Sequence, residues 1–177
     1  NTPTNTPTPT NTPFTGNDKL AALGNRIFKD LDGDGVFEPG SGEFGIDGVV
    51  LALWLDTNAD GTPDVNTGLA AISSGGGFYQ FVALDPGTYI VQVLPSNFNP
   101  GGALFDMPSS PGSPDANNDV DNDDNGKPVS GLGVISTPIT VVPDNEPTSE
   151  DGNPNTNLTL DLGFVNLPTP TPSPTAV

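Results

Sequence analysis

Residues 23–35 read Leu23-Gly24-Asn25-Arg26-Ile27-Phe28-Lys29-Asp30-Leu31-Asp32-Gly33-Asp34-Gly35. A short apolar run, Leu23 to Phe28, passes straight into a loop with carboxylates on alternate residues. Side-chain oxygens at loop positions 1, 3 and 5, a glycine at 6 and a backbone carbonyl at 7 are how a loop wraps a hard cation such as Ca²⁺. Asp30, Asp32 and Asp34 supply the side chains and Val36 the carbonyl. The bidentate glutamate of an EF-hand would stand at position 12, here Ser41. Pro39-Gly40-Ser41-Gly42 reads as a lengthening, which leaves either Glu38 or Glu43 to complete the shell.

The same spacing recurs at Asp56-Thr57-Asn58-Ala59-Asp60-Gly61-Thr62-Pro63-Asp64. There Asp56, Asn58, Asp60, the Thr62 carbonyl and Asp64 are the candidate ligands, with no glutamate downstream. A third acidic cluster runs from Asp115 to Gly126, and Asp119, Asp121 and Asp123 are its candidates. Together the loops predict two to three bound Ca²⁺ ions. Asp144, Glu146, Glu150 and Asp151 read as solvated surface.

Composition agrees with this reading. The 177 residues carry 22 acidic and four basic side chains, a formal net charge of −18. Nucleic acid and anionic membrane surfaces need basic patches, so neither is an expected partner. Bound cations would relieve the self-repulsion of so acidic a chain. Cysteine and histidine are absent, which excludes disulfides, the usual zinc and haem sites, and nucleophiles that rely on Cys or a His base. Paired carboxylates can hydrolyse glycosides, but these cluster in loops rather than standing in an apolar cleft, so no enzyme is expected. No apolar run approaches a membrane span and no signal peptide is visible.

Outward from the loops, the interior reads as all-β. Val49–Leu55 is apolar enough for burial on both faces. Phe78–Val82 and Thr88–Val93 are β-branched and aromatic runs joined by the turn Leu84-Asp85-Pro86-Gly87. Leu23–Phe28, Gly68–Ser73, Ile139–Val142 and Leu158–Val165 supply the rest, and Asn157–Leu162 alternates as a half-buried strand does. About seven strands without a helical period predict a β-sandwich. Residues 95–133 have no apolar period, and a loop of that length needs something to order it; bound calcium is the expected agent. Trp54, Tyr79, Tyr89 and Phe98 are the aromatics to weigh as a ligand platform, although strand aromatics more often fill a core.

Both ends are Thr-Pro tracts: NTPTNTPTPTNTP at 1–13 and LPTPTPSPTAV at 167–177. Proline there blocks helix and biases its predecessor to extended backbone. The chain therefore divides into a linker at 1–16, a domain at 17–166 and a linker at 167–177. The tails are expected to be polyproline-II spacers, reaching roughly 40 Å at ~3.1 Å per residue for the first, and candidates for O-glycans. Matching tails suggest one bead in a string. The segment Phe14–Leu23 is a candidate for pairing with a sheet edge of a neighbouring copy.

Several motifs occur in one order that is more specific than any loop alone. Leu23–Asp30, Asp32-Gly33-Asp34-Gly35, Glu43 and Gly45-Ile46-Asp47-Gly48-Val49 resemble the opening of a B-type domain of the serine-aspartate repeat adhesins (SdrD B-like). Gly77–Phe81, Leu84–Tyr89 and Leu158–Phe164 resemble that family's later strands and closing segment, so the resemblance spans roughly 20–166. It implies a prealbumin-like, Ig-like β-sandwich that binds several Ca²⁺ ions and acts as a rigid extracellular spacer at a cell surface, its partners being neighbouring domains or copies of itself. An adhesin-type role, binding a protein or carbohydrate, is the alternative. Some relatives carry an internal Lys–Asn isopeptide bond. The lysines here are Lys19, Lys29 and Lys127, none set clearly inside an apolar strand beside a strand-borne asparagine, so no such bond is expected.

Overall fold

The computed structural model describes residues 19–112 and 115–166. The Thr-Pro tracts, and with them the linker and glycan expectations, lie outside the described residues. Two β-sheets face each other across an apolar core, and among the described residues only short 3₁₀ turns are helical. The strands are β1 (Ala21–Lys29), β2 (Phe44–Gly45), β3 (Val50–Leu55), β4 (Val65–Ile72), β5 (Phe78–Leu84), β6 (Gly87–Val93), β7 (Gly126–Val129), β8 (Gly133–Ser136), β9 (Ile139–Val141), β10 (Thr156–Asn157) and β11 (Leu162–Phe164).

The first sheet is organised around β1. Along one side β1 pairs antiparallel with β5 and β2; along the other it pairs in parallel with β10 and then β11. The second sheet runs β4-β3-β6-β8-β7, with β9 beside β6. Leu23 and Ile27 of β1, Phe81 of β5, Leu51 and Leu53 of β3, and Val91 and Val93 of β6 meet between the sheets with almost no exposed area. The connection between β2 and β5 is tight. Gly77 has φ +82°, and a Cβ there would stand 2.1 Å from the Ile27 carbonyl oxygen, so only glycine fits.

Three sequence expectations are corrected. β3 is buried on one face rather than two: Leu51 and Leu53 point inward, while Val50, Ala52 and Trp54 are half-covered. That face belongs to an antiparallel sheet with one side toward solvent. The closing segment is not one strand. It makes β10, leaves the ladder over 158–161 and returns as β11, with Thr159, Leu160 and Asp161 buried together. Glu146 is not solvated surface, because it is 7% exposed and accepts a hydrogen bond from Asn157 Nδ2 at 2.8 Å.

The stretch 95–133 is ordered by protein contacts, and its end is a hairpin, β7–β8, that its composition hid. Asn97 is buried and hooks the segment to β3: its Oδ1 accepts from Val50 N and its Nδ2 donates to Val50 O, at 2.9 and 2.8 Å. Leu104 is fully buried in the core. Ser110 N donates to Gly163 O and Val165 N to Pro108 O, so the chain flanks β11. A structureless loop of this length gains stability by burying its own side chains, as here. Leu104→Ala is expected to cost about 2–5 kcal/mol, the usual range for a buried leucine. Chemical denaturation measures it, and hydrogen exchange should speed up over 95–112 more than elsewhere.

Candidate metal-binding loops

Each of the first two loops is built from the aspartate that ends a strand. Asp30 follows β1, is fully buried, and turns both oxygens onto its own loop: Oδ1 accepts from Gly33 N (2.6 Å) and Oδ2 from Gly35 N (3.0 Å). Asp56 follows β3 and does the same with Asp60 N (3.2 Å) and Gly61 N (2.9 Å). Within each turn the next acid caps the amide two residues on: Asp32 that of Asp34, Asp34 that of Val36, and Asp60 that of Thr62. These short loops therefore fold on local hydrogen bonds, which is why their spacing is visible in the sequence.

The lengthening Pro39–Gly42 is one 3₁₀ turn closed by Gly42 in the left-handed region at φ +96°. It returns Glu43 to the loop, where Oε1 accepts from Leu31 N (2.7 Å) and Oε2 from Glu38 N (2.8 Å). Two three-carboxylate groups result: Asp30, Asp32 and Glu43, and Asp32, Asp34 and Glu38, each with its oxygens within 4.8 Å of one another. Both glutamates thus stand at the loop and share Asp32, Glu43 with Asp30 and Glu38 with Asp34. In the second loop Asp64 turns to Thr57, accepting from its amide (2.8 Å) and hydroxyl (2.6 Å). The Thr57 hydroxyl first, and then its amide, hold the Asp64 carboxyl below its usual range.

The third cluster is spread out. Asp119 follows a 3₁₀ turn in the left-handed region (φ 57°). Asp123 accepts from Asn118 and Asn125 side chains, and Asp121 from those of Asn25 and Asn122. The fold lays this cluster on the first loop: Val36 bridges Asp123, Phe37 N donates to Asn122 O, and Asp124 N to Gly35 O. It also brings in Asp124, a member of the cluster outside the candidate ligands, and Asp161, which the spacing did not mark. Asp124 Oδ1 accepts from Gly126 N and Gly163 N at 3.0 and 2.9 Å, while Oδ2 is buried without a hydrogen-bond partner. Asp161 Oδ1 is buried in the same condition. A lone acid between two buried leucines, Leu160 and Leu162, was the signal available for Asp161; its polar-apolar alternation disguised it.

Oxygen-only donors, three-carboxylate groups and buried carboxylate oxygens without donors form a set that fits a hard divalent cation. Cations from the protein are scarce there. Among the described residues the salt bridge present is Lys19–Asp144, exposed and 2.6 Å long. Arg26 is stacked 4.0 Å over the Phe78 ring and 4.5 Å over that of Phe37, from where its charge favours the ionised Asp161 without a salt bridge to it.

Other expectations meet the structure as follows. Tyr79 and Tyr89 are buried, Phe98 packs on the core, and Trp54 donates to Gln92 at 2.7 Å. These four do not make an exposed platform. Residues 21–23 of the segment considered for pairing with another copy already lie in β1, between β5 and β10; 14–18 lie outside the described residues. Lys29 corrects the reading of the lysines. It ends β1, is 4% exposed, and its Nζ donates to Asn166 Oδ1 at 2.5 Å. Burial lowers its pKa, against the attraction of Asp30. Asn166 is exposed and lies past β11, outside any strand, so the pair is not one of two strand-borne residues. The intact mass is expected to equal that of the sequence; a mass short by one ammonia would reveal a Lys29–Asn166 bond.

Fold and loops together define an all-β module with cation-type acidic turns. The family model for the SdrD B-like domain matches residues 21–132, and the chain belongs to that family. Membership makes it a structural module of the surface-protein type, and no helix among the described residues is long and apolar enough to cross a membrane. No curated protein matches the chain. Among solved structures it is similar to GBS52, the minor pilin of Streptococcus agalactiae, at 14% identity and TM-score 0.42, covering 88% of this chain and 49% of that one. It is also similar to SpaD, the full-length major pilin of Corynebacterium diphtheriae, at 14% identity and TM-score 0.39, covering 84% and 30%. The chain thus spans about half or less of the pilins it resembles.

Burial pushes the Asp124 carboxyl up from 3.8 to about 7 despite its two amide hydrogen bonds, with Asp30 and Asp123 adding repulsion. The folded state holds that proton more tightly than the unfolded chain does. Its contribution to stability is present below 3.8 and is lost as pH rises through about 7. Melts of metal-free protein are therefore expected to fall in midpoint over that window, and Asp124→Asn to flatten the fall.

Proposed function

We propose that this chain is a calcium-stiffened spacer of an extracellular surface protein. One observation carries the reading. In a chain with a net charge of −18, the first loop gathers Asp30, Asp32 and Glu43, and Asp32, Asp34 and Glu38, into groups within 4.8 Å. Like charges held that close repel, and a divalent cation removes the repulsion.

In this reading the first loop takes Ca²⁺ through Asp30, Asp32, Asp34 and the Val36 carbonyl, completed by Glu43 or Glu38. The second takes it through Asp56, Asn58, Asp60 and the Thr62 carbonyl. Asp64 is the weaker contributor, because Thr57 already engages it. The ion supplies charge neutralisation and rigidity. The protein supplies two loops folded on their own amides, so little ordering entropy opposes binding. Stiffened turns at strand ends suit a module that holds other domains away from a surface. Family membership supports this placement, and Thr-Pro tails, with or without O-glycans, would extend the reach.

Sites of ~10⁻⁴ M affinity in millimolar Ca²⁺ would each contribute about 1.4 kcal/mol, and three of them about 4 kcal/mol. That is a large part of the ~5–15 kcal/mol typical of a domain. The melting midpoint is expected to rise by several degrees or more in calcium over excess chelator. Asp32→Asn combined with Asp34→Asn should remove most of the first loop's share. Identical melts in calcium and chelator would overturn the reading.

A further inference from the structure

The outer face of the first sheet carries a cleft of about 640 Å³, within the ~300–1,000 Å³ of ligand clefts. Arg26, Ile72, Phe78, Gln80, Glu150 and Leu158 are among the residues that line it. Along β5, Phe78, Gln80 and Val82 are exposed in one row, alternating with the buried Tyr79 and Phe81. On β1, Gly24 stands opposite Gln80 with no side chain, and Arg26 stands opposite Phe78. The Arg26 guanidinium lies 4.0 Å over the Phe78 ring and 4.5 Å over that of Phe37. A cation thus holds one face of Phe78 while the residue remains 46% exposed, and Ile72 is 62% exposed. A ring pinned in this way is a preorganised apolar platform.

We propose that the Thr-Pro tract 1–13 docks in this cleft on its own domain. The proposal goes beyond the spacer reading and needs neither the acidic loops nor an ion. Charge limits the guest first. Glu150 borders the platform and the domain is strongly acidic, so an acidic segment would be repelled there. All 22 acidic and four basic side chains lie between Asp18 and Asp161, which leaves 1–13 uncharged. Its chemistry also fits. Aromatic grooves take Pro-rich segments by packing proline rings on their faces, and a polyproline-II backbone keeps its carbonyls available to donors. Pro7 and Pro9 would pack on Phe78 and Ile72, Gln80 would donate to a carbonyl, and threonine hydroxyls would donate to Glu150.

Reach selects this tract and the intrachain form. Lys19 lies seven positions before Arg26, ~23 Å along the strand at ~3.3 Å per residue. Pro9 lies ten positions before Lys19, ~31 Å of polyproline II, so the tract can double back over the row of Val82, Gln80 and Phe78. The other tract follows Asn166, past β11 and across β1 from β5, with Phe37 of the first loop packed against Phe28 and Arg26 between them. Five residues, 14–18, tether the first tract. An effective concentration on the order of mM follows from so short a tether, so even a contact of that weakness is about half filled. Docking would shorten the first tract's reach and fix its direction on the domain.

The chain has no cysteine, so Asn5→Cys places a single nitroxide on the full-length, nitrogen-15-labelled protein. Broadening of the Gly24, Phe78 and Gln80 amide signals is expected, and it should be lost in Phe78→Ala and retained in Phe78→Tyr. Pro7→Ala with Pro9→Ala leaves every strand residue as it is and should also abolish the broadening. The effect is expected equally in calcium and in chelator, and it should be absent when spin-labelled protein without nitrogen-15 is mixed with unmodified nitrogen-15 protein. Broadening confined to residues next to Lys19 would overturn the proposal. Broadening of the cleft only by a label at Thr175→Cys would overturn it in favour of the second tract. Equal broadening in the mixed sample would overturn the intrachain form and make the cleft a contact between copies.

Discussion

Buried carboxylates that, among the described residues, form no salt bridge are the constraint on which this structure turns. Asp30, Asp124 and Asp161 are exposed by 0, 1 and 0%. Moving an ionised carboxylate out of water costs several kcal/mol even after relaxation, unless partners replace the water. The fold answers first with backbone amides. Asp30 receives two from its own loop, and Asp124 receives two from Gly126 and Gly163. Asp161 receives one, from Asn122. Charge-assisted hydrogen bonds of this kind are roughly twice as strong as neutral ones. They still leave one oxygen on Asp124 and one on Asp161 without donors.

That electrostatic arrangement follows from the topology. β1 lies between antiparallel β5 and the parallel pair β10 and β11, so the first and last parts of the domain are neighbours. A parallel pair needs a long crossover between its strands, and here the crossover is most of the domain. The described parts of the segment between β6 and β7, 95–112 and 115–125, pack against both ends of that arrangement. Its apolar half hooks to β3 and the core by Asn97 and Leu104. Its acidic half lies between the first loop and the approach to β11. The acids are crowded because a loop, a long insertion and a terminal strand close on the same corner.

Much of the fold was legible. β1, β5 and β6 appear where alternating and β-branched runs placed them, because the two-residue period of a strand is written directly in the chain. The β7–β8 hairpin was not legible. Its residues Gly126-Lys127-Pro128-Val129 carry neither alternation nor high strand propensity, and they pair with β8, which is itself held in the sheet by β6. The 158–161 stretch misled for a related reason. Alternation predicts one solvated face, but both faces of Thr159–Asp161 are covered, one by the core and the other by the acidic cluster.

The sequence by itself determined the two turns that begin at Asp30 and Asp56. The hydrogen bonds that Asp30 and Asp56 accept from their turns run between residues at most five apart, so the information and the structure occupy the same few residues. It also determined the absence of any histidine or cysteine chemistry. Only the tertiary structure decided which acids share a corner. Asn25, Asp121 and Asp161 are separated by 96 and 40 positions along the chain, and no local rule links them. Likewise Glu43 joined Glu38 at Asp32 because a single 3₁₀ turn folds the lengthened loop back. Spacing specifies a ligand when the loop is its own scaffold; when the scaffold is a strand pairing, the ligand appears only once the sheet has closed.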